Sequence, residues 1–261
     1  MIYIAFIIFT ILVLWFAFYQ WQYFMIFTPT YHREGSLSTF TQILSVTTDD
    51  GVELEGVVYE PQDASATLLF FAGRHHDVVG IINKLSCAFP TLRVISFNYR
   101  AYGRSGGVAN EKNLLSDAEF IAGLVQKNYG DFYTMGYSLG SNIAASLASK
   151  HKTTALFLVG AFDSIASLAK SKFVDRGIFP MVDLSSVFRY KLRTGEYVKS
   201  VDAPTYLYVS VSDETTYIQN ARELKSKIKN LSSYVEYEGL SHKEILWDER
   251  VVKNINEVIA S

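Results

Sequence analysis

The sequence has almost no cysteine and no excess of basic side chains. Its 261 residues include a single cysteine, Cys87, and 24 Lys and Arg against 26 Asp and Glu, for a formal net charge of −2. One cysteine excludes an internal disulfide bond. The charge balance, without a concentrated basic helix or zinc-ligand spacing, gives no indication of nucleic-acid binding. The length and the 49% hydrophobic content suit one large α/β domain with a sizeable core.

Residues 1–27 contain no charged side chain and are dominated by Ile, Leu, Phe, Trp and Tyr. As a helix this run extends about 40 Å, enough to span a bilayer with tilt. Trp and Tyr crowd its far end, as is typical of a membrane interface. A cleaved signal peptide is the competing interpretation, but the run lacks a basic n-region and a small-residue cleavage site and is too long. We predict a single-pass anchor in an inner or plasma membrane, of open orientation because Arg33 is the only nearby basic residue.

The chain after the anchor divides into a predicted linker, residues 28–40, and a predicted domain, residues 41–261. The domain begins with a hairpin around Asp49-Asp50-Gly51 and continues with strands that alternate with helices. This pattern predicts an eight-stranded, mostly parallel sheet with helices on both faces and its ligand site at the carboxyl ends of the strands. The predicted strands cover residues 42–47, 52–59, 66–72, 92–98, 131–135, 154–159, 203–209 and 234–237, and the helices 77–88, 111–126, 141–150, 216–229 and 243–259.

The pentapeptide Gly136-Tyr-Ser-Leu-Gly140 fits the G-x-S-x-G nucleophile elbow, a sharp turn from strand to helix that exposes the serine hydroxyl. Both glycines are required sterically, because a side chain at either position would collide with neighbouring backbone. The pentapeptide is a weak signal by itself, but it lies between an apolar strand and an amphipathic helix, in the required order. The alternative is an ordinary turn in which Ser138 only caps the helix.

A serine nucleophile needs an imidazole base and a carboxylate that fixes the tautomer of that imidazole. Enzymes with this elbow place the acid and then the histidine after the serine. Of the five histidines, His242 alone lies well downstream of Ser138. Asp213 and Asp163 both follow predicted strands and are candidates for the acid. Asp163 has a simple structural role as a helix N-cap, so we predict Asp213.

The oxyanion of an acyl-transfer reaction needs backbone N–H donors. We predict the amide of Leu139, which directly follows the serine, and the amide of Arg74, in the loop after an early strand. His75 and His76 follow Arg74, but no acidic or cysteine partners accompany them at ligand spacing, which argues against a metal site. We expect these two histidines to line the mouth of the pocket instead.

The long irregular interval within residues 171–202 predicts a cap over the site. Its aromatic and apolar side chains are Phe173, Ile178, Phe179, Phe188 and Tyr190. Between residues 170 and 199 there are seven basic and three acidic residues, a local charge of +4. That charge fits either a contact with anionic lipid headgroups or an ordinary solvated helical face.

The chain resembles the membrane-anchored α/β-hydrolase domain proteins, a serine hydrolase group related to the acyl-protein thioesterases that remove palmitate. The resemblance covers most of the chain after the anchor. It rests on the loop Asn98-Tyr-Arg-Ala-Tyr-Gly-Arg-Ser-Gly-Gly107, the elbow at residues 136–140, and the segments 162–165 and 188–204. Two sites depart from the group pattern: the early loop, which usually begins His-Gly-Asn, is Ala72-Gly73-Arg74 here, and Ala101 stands where the group commonly has Gly.

This resemblance implies the α/β-hydrolase fold and hydrolysis of an ester or thioester through an acyl-serine intermediate, without a metal or a cofactor. A membrane anchor beside such a site favours a lipid or acylated substrate, although a small-molecule ester also fits. Two alternatives stay open: a serine peptidase on the same fold, and a noncatalytic membrane interaction protein that has kept the fold. The sequence leaves the oligomeric state undetermined.

Overall fold

The computed structural model describes residues 2–33, 35–174 and 186–261, without the side chains of residues 173 and 174. Its centre is one sheet of eight strands in the order β1-β2-β4-β3-β5-β6-β7-β8. β1 and β2 pair antiparallel, as do β2 and β4, whereas all other neighbours are parallel. The strands are β1 (Thr41–Thr47), β2 (Glu53–Tyr59), β3 (Ala66–Phe71), β4 (Leu92–Phe97), β5 (Tyr133–Tyr137), β6 (Leu156–Val159), β7 (Thr205–Ser210) and β8 (Leu231–Tyr237). The predicted eight-stranded, mostly parallel sheet is confirmed.

Helices cover both faces of the sheet, as predicted. One apolar cluster joins one face to the helices α3, α4 and α7 and to the end of α1, and a second joins the other face to α2 and α8. The helices are α1 (Ile2–Ile26), α2 (Val78–Ala88), α3 (Glu111–Tyr129), α4 (Leu139–Ala148), α5 (Ile165–Ala169), α6 (Thr194–Tyr197), α7 (Ile218–Lys225) and α8 (Glu249–Ala260), with a π-helical turn at Lys170–Val174 and a 3₁₀ turn at Ile245–Trp247.

The central strands are buried on both faces, which explains why they appear in the sequence as continuous apolar runs. Every residue of β6 is buried, and so is every residue of β3 after Ala66. α4 is buried over its whole length, since α3, α6 and the sheet surround it. The sequence predicted an amphipathic helix with one buried face, whereas the structure buries α4 on all sides.

The last helix begins later than predicted. The sequence indicates one helix over residues 243–259, but the structure has a 3₁₀ turn followed by α8. Asp248 separates the two because its backbone is extended, and its carboxylate accepts the amide N–H of Arg250 as an N-cap. The predicted helix over residues 216–229 is likewise shorter in the structure, where it is α7.

α1 is exposed along most of its length and buried at its end. Residues 2–17 are all exposed, whereas Gln22, Ile26 and Phe27 are buried against the domain. Among the described residues it is the one helix long and apolar enough to cross a membrane. By length and composition, it fits a membrane anchor or a signal segment.

The segment that follows α1 runs along the domain surface and bonds to it. The amide of Thr28 donates to the Tyr102 hydroxyl at 2.7 Å, and the carbonyl of Thr30 accepts the amide of Gly103 at 2.9 Å. Arg33 forms ion pairs with the buried carboxylates of Glu55 and Asp77. These contacts fix the position of the end of α1 relative to the sheet.

Ala101 occupies a left-handed backbone conformation, with φ of +68°. Such a conformation favours glycine, because the Cβ of an L-residue approaches the following carbonyl oxygen. Next to it, the guanidinium of the buried Arg100 bridges Asp117 and Asp50, which holds the 98–107 loop in place. The strain at Ala101 is therefore maintained by the surrounding loop.

Ala101→Gly should stabilise the protein by about 0.5–1 kcal/mol, because relief of a strain of about 1–2 kcal/mol exceeds the added entropy of the unfolded chain. Chemical denaturation of the detergent-solubilised protein measures the change. Ala122→Gly, in the interior of α3, is the control of opposite sign and should destabilise by about 1 kcal/mol or more. Equal destabilisation by both variants would contradict the strain at Ala101.

Candidate active site

The turn between β5 and α4 is strained at Ser138, whose φ is +54° and ψ −117°. A Cβ atom at position 136 would lie 2.3 Å from the carbonyl oxygen of Gly140, and one at position 140 would lie 2.0 Å from the carbonyl oxygen of Phe71. The steric requirement for both glycines is confirmed. β5 ends directly before Ser138 and α4 begins directly after it, so Ser138 stands at the carboxyl edge of the sheet.

Three side chains from separate loops form one chain of hydrogen bonds. The Ser138 hydroxyl donates to Nε2 of His242 at 2.8 Å, and Nδ1–H of His242 donates to Oδ2 of Asp213 at 2.7 Å. The tautomer follows from the acceptor, since an ionised carboxylate accepts hydrogen bonds only. All three residues are buried, with 6–9% of their surface exposed. The structure thus brings together the serine, acid and histidine named from the sequence.

Asp213 is held as an ionised carboxylate by several donors. Its Oδ1 accepts the amides of Thr215 and Thr216, and its Oδ2 accepts the Thr216 hydroxyl at 2.6 Å as well as the imidazole. Burial by itself raises the pKa of Asp213, but the hydrogen bond and charge of His242, together with the Thr216 bonds, lower it below its usual value. The carboxylate can therefore fix and stabilise the His242 ring.

Asp163 has a different partner and does not reach His242. Its carboxylate binds Lys227 Nζ at 2.6 Å. The structural role predicted for it was wrong, because the N-cap of α5 is Ser164, whose hydroxyl accepts the amide of Ser167. The geometry agrees with the choice of Asp213 as the acid. Asp163 differs from it through its ion pair with Lys227 and not through an N-cap role.

His242 is fixed at its backbone as well as at its ring. Its carbonyl accepts the buried Tyr137 hydroxyl at 2.7 Å, and its amide donates to Oε2 of Glu214 at 3.2 Å. The ring of Tyr137 also stacks on the imidazole, with centroids 5.2 Å apart. Glu214 directly follows the acid Asp213 in the sequence. It is exposed, but it supports the histidine and lines the cavity at Ser138.

The two residues predicted to supply oxyanion donors, Arg74 and Leu139, line the same cavity as the serine. Leu139 is the first residue of α4, so its N–H is among those that a helix leaves without an internal acceptor. Arg74 follows β3, and within the described residues its amide donates to no acceptor. Both residues line the cavity together with Ser138.

The cavity above Ser138 has a volume of about 290 Å³ and a mostly apolar lining. α5 and the π-helical turn form one side, through Ile165, Leu168 and Lys172, and Phe162 lies on the same side. The loop after β7 forms another side, from Glu214 to Tyr217. The last turns of α1 complete the wall. A pocket of this kind suits an apolar group attached to a polar reacting centre.

The part of the predicted cap that the structure describes contributes to this wall. Phe188 lines the cavity, and the buried Tyr190 packs edge-on against Phe27, with ring centroids 4.9 Å apart. The side chain of Phe173 and the residues Ile178 and Phe179 lie outside the described residues.

The contribution of α1 is the feature that sequence reasoning missed. Gln22 gave a signal, because a polar side chain in an apolar run is expected to find a buried partner. It is 3% exposed, and its amide group bonds to the backbone of Val187 and Arg189 at 3.4 and 2.7 Å. Those partners lie far away in sequence, so the signal does not identify them.

His75 and His76 do not line the cavity, contrary to expectation. Burial lowers the pKa of His76 to about 4, assisted by the charges of His75 and His242. Its ring lies against the face of Tyr137, 5.6 Å between centroids. Among the described residues, no group of three or more His, Cys, Asp or Glu side chains is arranged to hold a metal ion.

Comparisons with known proteins place this geometry in a recognised fold. No protein-family model matches the chain. The structure is similar to that of the Pyrococcus furiosus esterase Pf2001, with a TM-score of 0.68 and 16% identity, over 90% of this chain and 97% of that chain. Identity this low establishes the fold alone. The α/β-hydrolase fold predicted from the sequence is confirmed.

Sequence relatives cover only part of the chain. An uncharacterized protein of Acanthamoeba polyphaga mimivirus is 29% identical over 160 residues, which is 55% of this chain and 54% of that protein. The lysophosphatidylserine lipase ABHD12 of Danio rerio is 25% identical over 145 residues, 50% of this chain and 38% of that protein. The chain thus spans about half or less of the length of these relatives. What the comparisons establish for this chain is the α/β-hydrolase fold.

Tyr137→Phe should destabilise the protein by about 1–3 kcal/mol, because the carbonyl of His242 loses its donor in a buried position. Chemical denaturation measures the loss. Tyr133→Phe, on the same strand and without a hydrogen bond from its hydroxyl among the described residues, is the matched control and should stay within about 0.5 kcal/mol of wild type. Similar values for the two variants would remove the structural role of the Tyr137 hydroxyl.

Proposed function

We propose that the protein is a membrane-anchored serine hydrolase that cleaves an ester or thioester through an acyl-serine intermediate. The observation that carries this proposal is the hydrogen-bond chain from Ser138 through His242 to Asp213. A hydroxyl that donates to a buried imidazole, itself oriented by a carboxylate, is the arrangement that activates serine for attack on a carbonyl. No cofactor or metal is needed for such a reaction.

The reaction begins when Oγ of Ser138 attacks the substrate carbonyl carbon while Nε2 of His242 accepts the hydroxyl proton. The oxyanion of the tetrahedral intermediate is stabilised by the amides of Leu139 and Arg74. The leaving alcohol or thiol takes the proton from His242 as the carbonyl–heteroatom bond breaks, which leaves acyl-Ser138. Water then attacks this ester while His242 accepts its proton; the bond between the acyl carbon and Oγ breaks, His242 returns the proton to Oγ of Ser138, and the carboxylic acid leaves. Asp213 keeps the imidazole in its productive tautomer throughout.

A substrate with an acyl chain fits the site better than a small polar one. The cavity is mostly apolar around Ser138. Two proteins similar to this chain carry the names esterase and lipase. Acyl esters and thioesters share the reacting carbonyl and differ in the leaving group, so both belong to the proposed substrate class.

The proposed domain organisation has a transmembrane anchor at residues 1–27, a connection at 28–40 and the hydrolase domain at 41–261, with its cap at about 171–202. The burial of Gln22 and Ile26 against the domain supports an anchor over a cleaved signal. Removal of these residues would strip one wall from the cavity and expose apolar surface that the folded protein covers.

Ser138→Ala should abolish labelling by a fluorophosphonate reagent, which reacts with a serine activated by its base and oxyanion donors. Turnover of an ester such as 4-nitrophenyl butyrate should fall by more than about 10⁴-fold. In-gel fluorescence and absorbance measure the two effects on detergent-solubilised protein. Absence of labelling in folded wild-type protein would count against the hydrolase and favour a noncatalytic interaction protein.

Asp213→Asn should reduce kcat for the same ester by about 10³–10⁴-fold, because the amide cannot hold the imidazole in the correct tautomer. Asp163→Asn is the matched control. It removes the buried carboxylate that pairs with Lys227 without touching the Ser138–His242–Asp213 chain, so it should cost stability while kcat changes by less than about threefold. Steady-state kinetics on both variants separates the two acids, and a larger loss in Asp163→Asn would reverse the assignment.

A further inference from the structure

Four residues at the end of α1 lie at the cavity that contains Ser138. Trp21, Gln22, Met25 and Ile26 line it together with Arg74 and Leu139. Their spacing places them on one face of the helix. The last turns of the apolar helix are therefore in contact with the proposed reaction site.

The structure holds this face of α1 in place by polar contacts as well as by packing. The guanidinium of Arg74 donates to the carbonyl of Met25, at the negative end of the helix dipole. Gln22 bonds to the backbone of Val187 and Arg189, the two neighbours of the cavity-lining Phe188. Since the Arg74 amide is a proposed oxyanion donor, one residue connects the helix directly to the reaction site. This contact also gives a physical role to Arg74, which stands where the α/β-hydrolase group that the chain resembles usually has Asn.

The exposed part of α1 has the length of a bilayer core. Residues 2–20 extend about 28 Å as a helix, close to the hydrocarbon thickness of about 30 Å. The cavity-lining face begins directly after them, at Trp21. A helix that spans a membrane over residues 2–20 would leave the cavity at the level of the interface, beside the acyl chains of the lipids.

We propose that the last two turns of α1 are the specificity-determining wall of an acyl-chain pocket, through which a membrane-resident acyl ester or thioester reaches Ser138. This inference rests on the proposed hydrolase function. The acyl chain lies between Met25 and Ile26 of α1 and Leu168 of α5, with its carbonyl at Ser138. The helix is in this way both the anchor and a part of the substrate site.

Polarity within the cavity is consistent with this orientation of the substrate. The apolar side chains of Ile26, Phe162 and Leu168 are on its wall, while Arg74 and the loop of Glu214, Thr215 and Thr216 form a polar part; the polar side chains of Gln22 and Lys172 also line it. A single chain suits its volume of about 290 Å³ better than two chains side by side. Met25 is 38% exposed and Trp21 is 49% exposed, so the cavity is accessible along the helix.

Met25→Trp tests the proposal, because a larger side chain shortens the space for an acyl chain, whereas Met25→Ala lengthens it. Both variants keep the backbone carbonyl that binds Arg74. The full chain in detergent is assayed with 4-nitrophenyl acetate, hexanoate, decanoate and palmitate. We expect the decanoate-to-acetate ratio of kcat/KM to fall at least tenfold in Met25→Trp, and the preferred chain to become longer in Met25→Ala.

Phe24→Trp is the matched control. Phe24 lies on the same turn of α1, is 70% exposed and does not line the cavity. Its substitution adds the same side chain outside the cavity and should leave the wild-type chain-length profile unchanged.

The outcomes separate the two proposals. If wild type hydrolyses the acetate ester, and Met25→Trp and Met25→Ala both keep its chain-length profile, the role of α1 is overturned while the hydrolase function stands. Wild-type protein that cleaves no ester and is not labelled at Ser138 overturns the hydrolase function, and with it the pocket. Fluorophosphonate labelling verifies the fold of each variant, and if Met25→Trp is not labelled, the profile of Met25→Ala decides.

Discussion

The backbone of Ser138 adopts a conformation that costs an L-residue about 1–3 kcal/mol, and the packing of β5, α4 and β3 maintains it. That packing requires glycine at 136 and 140, where any side chain would overlap backbone atoms. The strained turn lifts the serine hydroxyl to the carboxyl edge of the sheet. Asp213 and His242 reach the same edge because they follow β7 and β8, which are parallel neighbours. The geometry of the site thus depends on one turn and on the strand order.

Backbone groups carry much of the support of the site. The carbonyl of His242 accepts from Tyr137, and the amides of Thr215 and Thr216 hold Asp213. The proposed oxyanion donors are also backbone groups. An amide donor does not depend on its own side chain, so position 74 can carry arginine without loss of the N–H. The side chain of Arg74 is then available to bind the end of α1.

α1 combines two environments in one continuous helix. Its first nineteen residues after Met1 are almost entirely exposed and apolar, and its last turns are packed against the domain. Gln22 marks the change, since a buried amide with bonded partners belongs inside a protein and not in lipid. Under the proposed function, the same chain segment both anchors the domain at a membrane and shapes its cavity. A flexible tether would anchor the domain without shaping the cavity.

The sequence by itself determined what depends on local sterics and chain order: the two glycines around Ser138, the alternation that predicts the sheet, and the apolar run of 1–27. The short helix α6 escaped prediction because it contains too few turns for a periodic pattern. Only the tertiary structure decided that Asp213 meets His242 while Asp163 meets Lys227, because both acids follow strands and differ only in what packs beside them. It also decided that α1 ends at the cavity of Ser138. That contact joins residues that are distant in the sequence, and it forms only when α1 packs against the folded domain.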